Sequence, residues 1–127
     1  MGQLFNVRGN CVWEESLAVS LAFKSQLAFF ESRLQCDSGI EDVGGDENEV
    51  DFGKLENFLA ELCKFGSKTH TPARLLREGV AVLSLALLRC RGPLPEEVSN
   101  KYSPEVLDLA TYVFMQRMRP APADSPG

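Results

Sequence analysis

The sequence contains one histidine, His70, in 127 residues, and its four cysteines (Cys11, Cys36, Cys63 and Cys90) stand far apart with no CxxC pair. A structural zinc site needs about four organised nitrogen and sulfur ligands, commonly in short paired spacings, so no metal site is expected. Nucleophilic catalysis needs a thiol or hydroxyl beside a base, usually a histidine oriented by a third group. His70 is the only histidine on offer, and Cys63 stands seven residues before it. The plain reading of the pair is a loop imidazole and a core thiol; a thiol enzyme built on Cys63 and His70 is the second alternative. The segment Gly-Gly-Asp-Glu-Asn-Glu (44–49) lacks the lysine and following helix start of a phosphate-binding loop. The adjacent acids Glu14–Glu15 and Glu96–Glu97 suit helix starts, where the macrodipole favours negative charge. No catalytic residue and no cofactor is assigned, and a non-enzymatic function is expected.

Long apolar runs are missing too. The longest, Val80 to Leu88, is broken by Ser84 and falls well short of the ~20 residues that span a bilayer. The N-terminus has no charged segment followed by an apolar one and a small-residue cleavage site. The chain is therefore expected in the cytosol or nucleus, with reduced thiols. A concentrated basic stripe is absent as well. From Lys64 to Arg119 nine bases and five acids are scattered, so nucleic acid is not an expected partner. The net charge is −5, and it is uneven: Asp37, Glu41, Asp42, Asp46, Glu47, Glu49 and Asp51 follow one another with no intervening base. Without them the chain holds 11 acids against 13 bases.

What is present reads as helix. Val12, Val19, Phe23, Leu27, Phe30 and Leu34 share one face of a first helix from about Val12 to Gln35. The segment 37–51, rich in acids and glycine, reads as a flexible loop that buries too little to fold alone. A second helix runs from Phe52 to Phe65 behind an Asp51 cap. A third opens at Thr71-Pro72 and continues to Cys90, with Gly92-Pro93 stopping it. Its second half is apolar almost all round, as expected of a central helix. A fourth opens at Ser103-Pro104-Glu105 and ends before Pro120, with one short helical turn expected within 94–101 and a frayed tail over 119–127. The predicted fold is all-α: one domain over 1–127, a four- to five-helix bundle around the central apolar helix.

Trp13, Leu17, Leu21 and Phe29 exceed what one core stripe requires. They form the candidate apolar surface for a partner, against the alternative that they pack inside. The run Asp37-Ser38-Gly39-Ile40-Glu41-Asp42 resembles the phosphodegron read by beta-transducin-repeat F-box ubiquitin ligases, with Asp42 in the place of the second phosphoserine. With Glu41 three residues on, Ser38 also resembles a casein-kinase-two acceptor, and it is the candidate phosphorylation site. Leu34-Gln35-Cys36-Asp37-Ser38 is similar to the LxCxE motif that binds retinoblastoma pocket proteins, except that serine stands where glutamate belongs. Met1-Gly2-Gln3-Leu4-Phe5-Asn6 resembles an N-myristoylation signal with Asn6 replacing the usual serine or threonine, which makes Gly2 a candidate lipidation site. A single acyl chain gives only marginal membrane binding.

Thr71-Pro72-Ala73-Arg74, Val80-Ala81-Val82-Leu83-Ser84 and Leu107-Asp108-Leu109-Ala110 resemble segments of the viral death regulators of the B-cell-lymphoma type. That resemblance implies a central apolar helix wrapped by amphipathic ones, and a groove that captures a partner's amphipathic helix. It spans less than half the chain, and the family's Asn-Trp-Gly-Arg signature is missing. The function expected first is a protein-protein interaction or adaptor module with a phosphorylatable acidic loop, compatible with a homo-oligomer. A helical regulator of apoptosis is the first alternative.

Overall fold

The computed structural model describes residues 2–66 and 70–122. The chain opens with a hairpin. β1 (Gly2–Val7) and β2 (Asn10–Ser16) pair antiparallel across Arg8 and Gly9, whose φ angles of 49° and 81° are both positive. Two such residues give the turn whose twist matches that of the flanking strands. Phe5 pairs with Trp13 and Asn6 with Cys11, so Val12 is an extra residue on β2. A bulge of this kind bends the strand and turns a further side chain inward. Val12 and Trp13 are both buried.

Helix α1 (Leu17–Leu34) follows, capped by Ser16, whose hydroxyl accepts from the Val19 amide, and closed by Gln35 in the left-handed region. The acidic segment then folds back as β3 (Ile40–Gly44) and β4 (Glu47–Val50), an antiparallel pair. Gly44, Gly45 and Asp46 make its turn, all at positive φ. β4 lies parallel to β1, which gives a four-stranded mixed sheet in the order β2-β1-β4-β3. Next come α2 (Phe52–Leu62), α3 (Thr71–Arg89), the short α4 (Glu96–Ser99) and α5 (Pro104–Arg117).

The expected all-α bundle is therefore overturned: four strands and five helices among the described residues form an α/β fold. The all-helical fold implied by the resemblance to viral death regulators falls with it. Two physical reasons account for the difference. Val12 fits the helical spacing of α1 by coincidence, whereas on β2 the pairing of Trp13 with Phe5 and the bulge beside it turn both Trp13 and Val12 inward. On β3 and β4 the inward positions are Ile40, Asp42, Asn48 and Val50. Half of these are polar, so the apolar alternation that announces a strand is missing. The acidic loop expected over 37–51 is a structured hairpin, anchored at its base by Asp51 N–H to Gly39 O (2.8 Å).

Helices α2, α3 and α5 sit close to their expected bounds, but α1 begins at Leu17 and not near Val12, because Asn10–Ser16 form β2. Asp51 caps α2 through a bond to the Lys54 amide, as its position implied. The cap of α3 is His70, one residue before the expected Thr71. In its second half α3 buries Val80, Ala81, Ser84, Leu85, Ala86, Leu87 and Leu88 against α2, α5 and α1. Phe5 stacks on Trp13 with centroids 4.5 Å apart, and Phe23 of α1 meets both rings edge-on. A second cluster joins Phe30 to Phe65 at 4.9 Å. Each such pair adds about 0.5–1.5 kcal/mol beyond its buried area.

Residues after α5 are docked, where a frayed tail from 119 was expected. Met118 bridges to Trp13, Arg119 N–H donates to Val12 O (2.9 Å) and Ala121 N–H to Cys90 O (2.8 Å). This strap closes the β2 edge of the sheet. The last five residues of the expected tail lie outside the described residues.

Candidate interaction surface

Helix α1 packs on the sheet, and the other helices pack on α1 and on one another; the buried face of the sheet carries Phe5, Val7, Trp13, Asn48 and Val50. The opposite face follows from the register. One row across it runs Glu14, Leu4, Glu47; the next runs Cys11, Asn6, Glu49, Glu41. Four glutamates thus share one surface, and Glu41 stands directly opposite Glu49. Like charges in that position destabilise a sheet. Asn6 Nδ2 donates to Glu47 Oε1 (2.7 Å). Among the described residues no lysine or arginine forms an ion pair with any of the four.

The other acids of the hairpin are engaged within the fold. Asp42, on the inner face, holds Lys24 of α1 at 2.7 Å, and that ammonium also donates to Gln3. The Lys24 hydrogen bond and the Gly44 amide hold the Asp42 carboxyl below its ordinary range. Asp37 accepts from the Gly39 amide and pairs with Lys54, and these bonds lower its pKa against the opposing effect of partial burial. Asp51 caps α2. Glu41, Glu47 and, from β2, Glu14 are exposed, whereas Glu49 is half-buried beside the buried Asn6. A groove of ≈ 1090 Å³ borders this face at the ends of the parallel strands β1 and β4, where Val7, Arg8, Val50, Lys54 and Arg91 line it together with Glu41 and Glu49.

The candidate sites named from sequence do not converge. Trp13 is 1% exposed and belongs to the aromatic core, so it presents no surface. Leu17 and Leu21 lie half-exposed one turn apart on α1, while Phe29, also half-exposed, points elsewhere and meets the edges of Phe30 and Phe65. Ser38 is fully buried; its hydroxyl donates to Glu31 Oε2 (2.8 Å) and accepts from the Ile40 amide. A kinase reaches that hydroxyl only if the base of the hairpin opens. Gly2 is part of β1, and a Cβ there would overlap the Glu15 carbonyl oxygen. The sheet itself therefore demands glycine at this position.

Cys63 and His70 are each committed locally. The Cys63 thiol donates to Ala60 O (3.2 Å), and His70 Nδ1 accepts from the Ala73 amide (3.2 Å). Burial pushes the Cys90 thiol up to about 12. Burial, reinforced by Glu61, Asp37 and Glu31, raises Cys36. Among the described residues no three His, Cys, Asp or Glu side chains group to hold a metal, and no helix is long and apolar enough to cross a membrane.

Residues 1–111 match the model of DUF6086, a family of unknown function. The chain belongs to that family. No curated protein and no solved structure matches it. The matched span takes in the whole sheet, so the acidic face lies within the family's segment. Its glutamates were the residues that sequence reasoning missed as a group. The alternation Glu47-Asn48-Glu49-Val50 was the available signal, and Glu14 read as a helix-start acid although it stands on β2.

Proposed function

We propose that the chain is a non-enzymatic protein-interaction module whose open sheet face, bearing Glu14, Glu41, Glu47 and Glu49, binds a lysine- and arginine-rich surface of another protein. The observation that carries this reading is the Glu41–Glu49 pair: two like charges directly opposed on adjacent strands. That arrangement costs stability, and among the described residues no ion pair to either glutamate offsets it. A basic partner turns the repulsion into attraction. The commitment of His70 Nδ1 to the α3 cap supports the non-enzymatic part of the reading.

Attraction of this kind speeds and selects association more than it raises final affinity, and salt screens it over about 8–10 Å. The test is calorimetric titration of the full chain with a synthetic basic peptide at low and at physiological ionic strength. Binding is expected at low salt, weaker by about tenfold at the higher salt. The triple change Glu41→Lys, Glu47→Lys, Glu49→Lys is expected to abolish it. Absence of binding at low salt, or equal binding by the charge-reversed protein, overturns the proposal.

A further inference from the structure

The sheet has two edges, and the fold treats them differently. At the β2 edge the strap after α5 is in place, with Arg119 N–H on Val12 O and Met118 bridged to Trp13. β3 forms the other edge and is paired with β4 alone. The bond from Asp51 N–H to Gly39 O sets the alternation along this pair. Backbone bonds between antiparallel strands recur at every second residue. Glu41 therefore exchanges its bonds with Glu49, while Ile40 and Asp42 turn their backbone groups outward. The Ile40 amide is taken by the Ser38 hydroxyl at 3.3 Å. The Ile40 carbonyl and both backbone groups of Asp42 remain on the open edge, where no described strand pairs with them. Such an edge is a template for another strand.

The charge along the edge selects what can occupy it. Two copies of β3 laid together about a two-fold axis would set Glu41 and Asp42 of one against the same acids of the other, which disfavours a second copy. A basic strand meets the opposite situation. We propose that an extended segment of the partner, with lysine or arginine at alternate positions, adds to β3 as a fifth strand. This rests on the reading of the acidic sheet face as the binding surface and supplies the manner of binding. Side chains of a strand alternate between faces. Every second residue of the added strand therefore lies beside Glu41 on the outer face, and those between fall on the side of Ile40. Main-chain bonds to Ile40 and Asp42 provide the grip, and the alternating charge provides the selectivity. At its Ile40 end the edge opens into the groove of ≈ 1090 Å³, which Ile40, Glu41 and Asp42 help to line and which receives the continuation of the segment.

Amide hydrogen exchange of the full chain, followed by NMR at low salt with and without a peptide alternating lysine and threonine, tests this directly. Saturating peptide is expected to slow exchange at the Asp42 amide by about tenfold or more, and to change little at the Glu41 amide, which is already bonded to β4. Two further peptides carry N-methyl groups on the lysine amides or on the threonine amides. Only every second N–H of an added strand faces β3, so one of the two is expected to lose binding and the other to keep it. Binding without slowed exchange at Asp42, or equal binding by both methylated peptides, overturns the fifth strand and leaves the acidic-face reading standing. No binding of the parent peptide overturns both.

Discussion

Glu15 gathers the indole N–H of Trp13, the Ser16 amide and the Arg117 guanidinium on one carboxylate. Partial burial pushes its pKa up, but the bonds from Ser16, Arg117 and Trp13 outweigh that and hold it below the ordinary carboxylate value of 4.5. A depressed folded-state pKa contributes stability that is complete above the unfolded value and fades as pH falls through the folded one. Glu15→Gln is therefore expected to lower the free energy of urea unfolding at neutral pH by about 1–3 kcal/mol, and to differ little from the parent near pH 2. An equal deficit at both pH values would assign the loss to packing. Neither partner choice was legible in the sequence, because Glu15 and Arg117 are far apart in the chain and meet only through the strap after α5.

The β3–β4 hairpin is the element on which stability and binding pull apart. Relieving the Glu41–Glu49 opposition with Glu41→Thr substitutes a good strand former for a repelled charge. The expected result is a gain of about 0.2–1 kcal/mol in thermal or urea unfolding together with weaker uptake of the basic peptide. Lower stability in this variant would mean that Glu41 does structural work that its contacts do not display. Elements also explain what could be read from sequence. Helices α2, α3 and α5 were legible because each has a capping or proline signal and a sustained apolar stripe: Leu55, Phe58, Leu59 and Leu62 on α2, for example. The strands were not. β1 has six residues and β4 four, too few for periodicity to separate strand from helix. The buried Asn48 held the place of an apolar residue, bonded to Gln3 and to Leu4 O.

At the scale of the whole molecule, the fold divides the acids of the segment 37–51 into two kinds. Some are absorbed by caps and ion pairs on the helix side, and others are gathered on the uncovered side of the sheet. Composition located the acidic segment correctly and misjudged its form, because segregation onto one face appears only after the register is known. Among the residues chosen as a partner surface, Trp13 was lost to the core for the same reason: a tryptophan beside a bulge packs inward although its helical position pointed out. The central claim, that the outer sheet face is where this protein meets a basic partner, is tested most directly by backbone amide NMR during titration with the basic peptide. Shifts confined to Leu4, Asn6, Glu14, Glu41, Glu47 and Glu49 and their strand neighbours are the predicted result. Shifts centred on α1 or α5, with the sheet unmoved, would contradict it.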